Sequence, residues 1–85
     1  YELATGMVAH IARHYIPRCG TVLDIGCSTG NIGNALKPTL DSRAANFIPI
    51  ESSKEMADLY NGPNKENLLI DDVTDIEIPE FDVAI

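Results

Sequence analysis

Asp24, Glu51 and Asp72 each follow a short apolar run, and the first leads directly into Ile25-Gly26-Cys27-Ser28-Thr29-Gly30. The D-x-G-x-x-x-G spacing has a physical purpose. Gly26 and Gly30 take backbone angles that a Cβ forbids and let the main chain approach a ligand closely. A helical pattern begins at Asn31, so its first N–H groups face the same place. Open α/β sheets bind nucleotide-like ligands at this position, outside the carboxyl ends of their strands. Asp24 either holds the turn through backbone N–H groups or accepts from a ligand ammonium. Glu51, ionised and acceptor-only with two oxygens, suits the two hydroxyls of a ribose. Asp72 suits an exocyclic adenine amine, with Val73 framing the ring. Its neighbour Asp71 points the other way in an extended chain.

Other residues compete for attention. Ser28-x-Gly30-x-x-Gly33 lies one residue from the dinucleotide fingerprint G-x-G-x-x-G, with serine in place of the glycine that allows the tight turn. In that register Glu51 would again be the ribose acid, so an NAD-type site stays open as an alternative. His10 and His14 have i, i+4 spacing, but Ile11-Ala12-Arg13 lies between them, without the glutamate of H-E-x-x-H. They read as two histidines on a half-exposed helical face, and no metal site is expected. Cys27 has no histidine near it in sequence and reads as a small packed residue rather than a nucleophile.

The elements that must position these groups follow from periodicity and punctuation. Leu3, Met7, Val8 and Ile11 recur at helical spacing, which predicts an amphipathic helix over residues 1 to about 16, ended by Pro17 and Gly20. Thr21–Ile25 is almost wholly apolar, as for a strand covered on both faces. A second helix is expected from 31 to about 40, with Pro38 kinking or ending it early. The second strand, 47–50, carries Pro49, which argues for an imperfect or edge-like place in its ladder. Ser52 or Ser53 caps a third helix over 54–60, and Ser52 with Glu55 fits a capping box. Residues 61–64 turn the chain. A third strand is expected at 67–70 and a fourth at 81–85. The order is α-β-α-β-α-β-loop-β, a parallel sheet with helical crossovers.

Composition bounds the function. The chain has 85 residues, 45% hydrophobic and 22% charged, with net charge −7. That is enough for one small domain. The absence of an initiator Met and a fourth strand that stops at Ile85 read as the N-terminal half of a single α/β domain. Six basic residues against thirteen acidic ones leave no stripe for a phosphate backbone, so no nucleic-acid surface is expected in this segment. No apolar run approaches the roughly 20 residues of a spanning helix, and no targeting segment is visible. A cytoplasmic protein with free thiols at Cys19 and Cys27 and no membrane partner is the expectation.

Three strand-end acids with a glycine loop after the first resemble the class I S-adenosylmethionine-dependent methyltransferases. Residues 22–27 are similar to that family's first motif, 50–56 to its second and 70–73 to its third. The likeness is closest to the carboxy-S-adenosylmethionine synthase family of tRNA wobble-uridine modification. Asp-Ile-Gly-Cys-Ser with Ser28, the ungapped stretches from 1 to 51, and Asp72-Val73-Thr74-Asp75-Ile76 carry that likeness. Residues 61–67 look shorter than in the family.

The resemblance implies a Rossmann-like doubly wound sheet and an enzyme, a one-carbon transferase binding S-adenosyl-L-methionine or its carboxylated form. It places cofactor contacts on Tyr1, Asp24, Gly26, Cys27, Ser28, Gly30, Glu51, Ser52, Asp72 and Val73. Glu51 stands where the family has aspartate, and Ser52 where it has an amide. The resemblance further implies prephenate as a small-molecule co-substrate and keeps a homodimer among the expected partners. It assigns no catalytic role to any of these 85 residues. An ordinary methyltransferase of unknown acceptor and a non-catalytic binding module are the other readings.

Overall fold

The computed structural model describes residues 2–71 and 80–85. Its centre is a pair of parallel strands, β1 (Thr21–Ile25) and β2 (Asn46–Glu51), in register from Thr21 opposite Asn46 to Ile25 opposite Ile50. Two short strands flank them. β3 (Leu69–Ile70) pairs with the end of β2, and β4 (Val83–Ala84) pairs with β1, both parallel. The sheet order is β3-β2-β1-β4. The chain is therefore α/β with a four-stranded parallel sheet. Tyr1, Asp72 and Val73 lie outside the described residues.

Helix α1 (Glu2–Arg13) ends three residues before the sequence expectation. Its last turn tightens, with His14 and Tyr15 N–H donating to the carbonyls of Ile11 and Ala12 (3.1 and 3.0 Å). Pro17 disfavours a helical Ile16. The Arg43 guanidinium then donates to the carbonyls of Arg13 and Ile16, groups that the helix end leaves open.

The helical period is present, but its buried stripe is not the expected one. Ala9 and Ala12 are buried and join Ile16, Val22, Leu36, Leu40 and Phe47 in the core. Leu3 and Met7 are 79% and 59% exposed. Alanines let α1 lie close to its neighbour helix. The larger side chains Val8, Ile11 and Tyr15 instead line an open groove with Val83, Ala84 and Ile85.

That neighbour, α2 (Asn31–Arg43), runs straight through Pro38. The carbonyl that loses a partner belongs to Asn34, and both Asn34 and Pro38 are exposed, so water can serve it. Leu36 and Leu40, on either side of the proline, are buried. Burying two such side chains contributes about 3–6 kcal/mol, enough to offset a proline costing about 3 kcal/mol. The helix closes through Ala44 in the left-handed region (φ 50°), with Ala45 N–H reaching back to the Leu40 carbonyl (3.0 Å).

Pro49 sits in an interior strand, not at an edge. Asn46 N–H donates to the Gly20 carbonyl and the Ile50 carbonyl accepts from Gly26, so the backbone groups of 46, 48 and 50 face β1. By alternation the Pro49 nitrogen faces β3, whose ladder begins only at Leu69 opposite Ile50. The missing donor therefore removes no ladder bond.

Helix α3 (Lys54–Asp58) is shorter than expected, and its cap is Ser53, whose Oγ accepts from Met56 N–H at 3.3 Å. The Ser52–Glu55 capping box is thus displaced by one residue. A 3₁₀ turn at Lys65–Asn67 takes the start of the expected third strand. Bonds from Asp82 N–H to Thr21 and from Ile85 N–H to Leu23 extend the β4 pairing to nearly its expected length.

Ala44 is exposed and left-handed, a conformation costing a non-glycine residue about 1–2 kcal/mol. Ala44→Gly is expected to raise unfolding stability by about 1 kcal/mol, read as a higher denaturant midpoint at unchanged slope.

Candidate ligand site at the strand ends

The strand order places the reversal of winding beside β1, since β2 and β3 extend to one side and β4 to the other. Crevices at such reversals, at the carboxyl ends of the strands, are where α/β sheets bind ligands. The loop at 26–30 occupies this place. Gly26, Ser28 and Gly30 all have positive φ (72°, 54° and 97°). Gly26 and Cys27 N–H both donate to the Ile50 carbonyl (2.8 and 3.0 Å), so the loop folds over the end of β2.

The glycines differ in what they face. A Cβ built on Gly26 would meet nothing within 4 Å, so this backbone borders open space. A Cβ on Gly30 would meet Gly62 N at 2.6 Å and the Tyr60 ring at 2.9 Å. Gly30 is glycine because the turn after α3 presses on it, and direct ligand approach is left to the loop around Gly26. Asn61 N–H donates to the Thr29 carbonyl (2.9 Å) and the Asn34 side-chain amide to the Asn61 carbonyl (3.1 Å), tying that turn to the loop.

Glu51 is buried and bridges two elements. Oε1 accepts from Ser28 N–H at 2.8 Å, and Oε2 accepts from Ser53 N–H at 2.9 Å. One carboxylate thus holds the loop and also satisfies the N-cap donor that a capping-box glutamate would have served. Each oxygen keeps a further lone pair for a ligand hydroxyl. Ser28, left-handed without being glycine, is held in that shape by the bond it donates.

Asp24 is 2% exposed, and its Oδ2 has no hydrogen-bond partner among the described residues. Burial first, and the Glu51 charge second, push its carboxyl up to about 6. Such a group is held for something that donates to it. Close by, the N-terminus of α2 has no side-chain cap and no acid in its first turn. A carboxylate whose Oδ2 is unpartnered among the described residues, followed in the chain by an uncapped helix N-terminus, offers one position for a cation and one for an anion.

Burial, followed by the charges of Asp24 and Glu51, pushes the Cys27 thiol up to about 12, which leaves it neutral and unreactive at physiological pH. Burial likewise raises the Tyr60 phenol, whose hydroxyl donates to the Pro63 carbonyl at 2.6 Å.

Among the sequence-derived candidates, the fold brings together Asp24, Gly26, Cys27, Ser28, Gly30 and Glu51, with Ser52 exposed at their margin. Ser53 was read only as a candidate helix cap, and Tyr60 and Gly62 were not singled out by sequence reasoning. The Asn61-Gly62-Pro63 turn signal was visible, but nothing local indicates what it packs against. His10 and His14 lie on α1 with ring centroids 5.5 Å apart, edge to face. Among the described residues no group of three metal-ligating side chains occurs.

Two substitutions probe this arrangement. Glu51→Gln places an amide donor against a backbone N–H and is expected to cost about 1–3 kcal/mol of stability, measured by chemical denaturation. For Asp24 the sign is the reverse of an ordinary ion-paired acid. Its folded carboxyl titrates above the unfolded value of 3.8, so the stability it contributes is complete below that pH and is lost as pH rises through about 6. Stability curves of wild type and Asp24→Asn are therefore expected to diverge between pH 4 and 6, the variant gaining on the order of 3 kcal/mol.

No protein-family model matches the chain, and neither a curated protein nor a solved structure matches it. No helix among the described residues is long and apolar enough to cross a membrane.

Proposed function

We propose that the chain binds an S-adenosylmethionine-type ligand at the strand ends and belongs to a transferase of the class I methyltransferase kind. The observation that carries this reading is Asp24, a buried carboxylate whose Oδ2 has no partner among the described residues, at the end of the strand that leads through the loop to the uncapped start of α2. Together they suit an amino-acid zwitterion, with its ammonium on Asp24 and its carboxylate toward the helix N-terminus. A dinucleotide would bring a pyrophosphate to the same helix, where the Asp24 and Glu51 carboxylates oppose it. Ser28 in place of the fingerprint's first glycine argues against that ligand as well.

The remaining contacts extend the same reading. The Glu51 lone pairs left over from Ser28 and Ser53 accept the ribose hydroxyls. The backbone of residues 26–28 borders the open side of the loop. Asp72 and Val73, which lie outside the described residues, follow from their place after the third apolar run and from the family resemblance, and the contact at Tyr1 from the resemblance alone. A Rossmann-like doubly wound sheet is compatible with the strand order β3-β2-β1-β4. The ligand supplies an electrophilic sulfonium carbon. The protein's part is to hold it rigidly and exclude competing geometries, since orientation alone lowers such barriers by several kcal/mol. Whether a methyl or a carboxymethyl group is carried, as in the carboxy-S-adenosylmethionine synthase family, and whether prephenate is the co-substrate, depends on residues beyond this loop.

Calorimetry on the full chain with S-adenosylhomocysteine, S-adenosylmethionine and NAD tests the reading. Both adenosyl ligands are expected to bind, and NAD is not. A thermal-shift assay at 100 times Kd should register about 2.7 kcal/mol of added stability. Absence of binding by either adenosyl ligand overturns the proposal.

A further inference from the structure

Asp24 is poorly supported as an anion by its surroundings and is readily protonated once the pH turns mildly acidic. Its Oδ2 is sealed from solvent and has no donor among the described residues. Among the described residues, the titratable groups that face it are Glu51 from the end of β2, Cys27 from the loop and Tyr60 from the turn after α3. Cys27 and Tyr60 stay neutral at physiological pH, so among these groups the charge acting on Asp24 is that of Glu51, and it is repulsive. Glu51 cannot relieve the strain by turning away, because both its oxygens are held by backbone N–H groups.

Resting on the ligand class proposed above, we infer that ligand capture at this cleft is coupled to loss of a proton: Asp24 is a neutral acid in the empty cleft at mildly acidic pH, and a ligand's ammonium group ionises it on entry. The step balances simply. The carboxyl O–H bond breaks, its proton passes to solvent, and the ammonium replaces it as the positive partner. The cleft then discriminates against cationic ligands as pH falls. The ligand's ammonium remains charged throughout this range, so the protein is the partner that titrates.

The magnitude follows from the fraction of Asp24 that is ionised. Burial places its midpoint at about 6, so at pH 5 roughly a tenth of the empty sites are competent. Affinity for a cationic ligand should thus be about tenfold weaker at pH 5 than at pH 7.

The test is calorimetric titration of the full chain with S-adenosylhomocysteine and with 5′-methylthioadenosine at pH 5, 6 and 7. Each titration is run in two buffers of different ionisation enthalpy, so that proton release is counted directly. S-adenosylhomocysteine, which carries the amino group, is expected to lose about tenfold in affinity from pH 7 to pH 5 and to release close to one proton at the lower end. 5′-Methylthioadenosine, which shares the adenosine and thioether but lacks the amino acid, should show no such loss. In Asp24→Asn the pH dependence for S-adenosylhomocysteine should vanish. The wild-type comparison of the two ligands decides the matter even if that variant folds poorly. Equal affinity for S-adenosylhomocysteine at pH 5 and 7, or a loss shared by 5′-methylthioadenosine, overturns the coupling while leaving the ligand class intact. Failure of S-adenosylhomocysteine to bind even at pH 7 overturns the ligand class and the coupling together.

Discussion

The two hydrogen bonds accepted by Glu51 hold the site in its present shape. One oxygen takes Ser28 N–H from the loop after β1, and the other takes Ser53 N–H from the start of α3. These segments come from different crossovers of the sheet, and the Glu51 bonds join them directly, alongside the bonds from Gly26 and Cys27 N–H to the Ile50 carbonyl. Hydrogen bonds to an ionised acceptor contribute more than neutral ones, and here both lie in a partly buried setting. The same pair of bonds keeps Ser28 in a left-handed conformation that serine adopts reluctantly. The interaction that fixes the loop also fixes the negative charge beside Asp24. Shape and electrostatics at this end of the sheet therefore have a single origin.

The sheet beneath makes that arrangement available. Parallel pairing of β1 with β2 brings Ile25 opposite Ile50, so the strands end together and their following residues emerge at one level. The Ile50 carbonyl, having no further strand partner on that side, accepts two loop N–H groups in succession. Proline at 49 is accommodated because its nitrogen points toward the side where β3 has not yet begun. The core lies lower, where α1 and α2 pack through alanines and leucines over Val22 and Phe47. Packing density and ligand chemistry are thus segregated along the strands, apolar toward their beginnings and polar at their ends.

Much of this was legible in the residues. The alternation of helices and apolar runs specified a parallel sheet, and Asp24 and Glu51 lie at the ends of neighbouring strands as their positions after apolar runs implied. What was not legible depends on tertiary context. The apolar stripe of α1 gave the period but the wrong inward face, because the deciding factor is how closely Ala9 and Ala12 allow α2 to approach. Pro38 signals a helix end, yet buried leucines on either side of it outweigh the local cost. Of the two candidate caps the structure uses Ser53, and the Ser52–Glu55 box does not form: Glu51 supplies, from before the helix, what Glu55 would have supplied from within it. Gly30 matched a ligand-loop spacing, and its positive φ is a local reason for glycine, but the close approach of Gly62 and Tyr60 adds a second reason from a turn thirty residues later that no local signal reveals.

The contact between Gly30 and Gly62 also bears on how such a chain can change. Each residue occupies the volume that a side chain on the other would need, and Tyr60 closes the remaining side. A clash introduced at one position is usually repaired by shrinking its neighbour, but nothing smaller than glycine exists. For Gly30 the obstacle is the backbone of Gly62, so no substitution there can make room. The loop after β1 and the turn after α3 must then vary as one unit, by moving the backbone of both. Any lengthening or shortening of the connection to β3 is transmitted directly to the loop after β1.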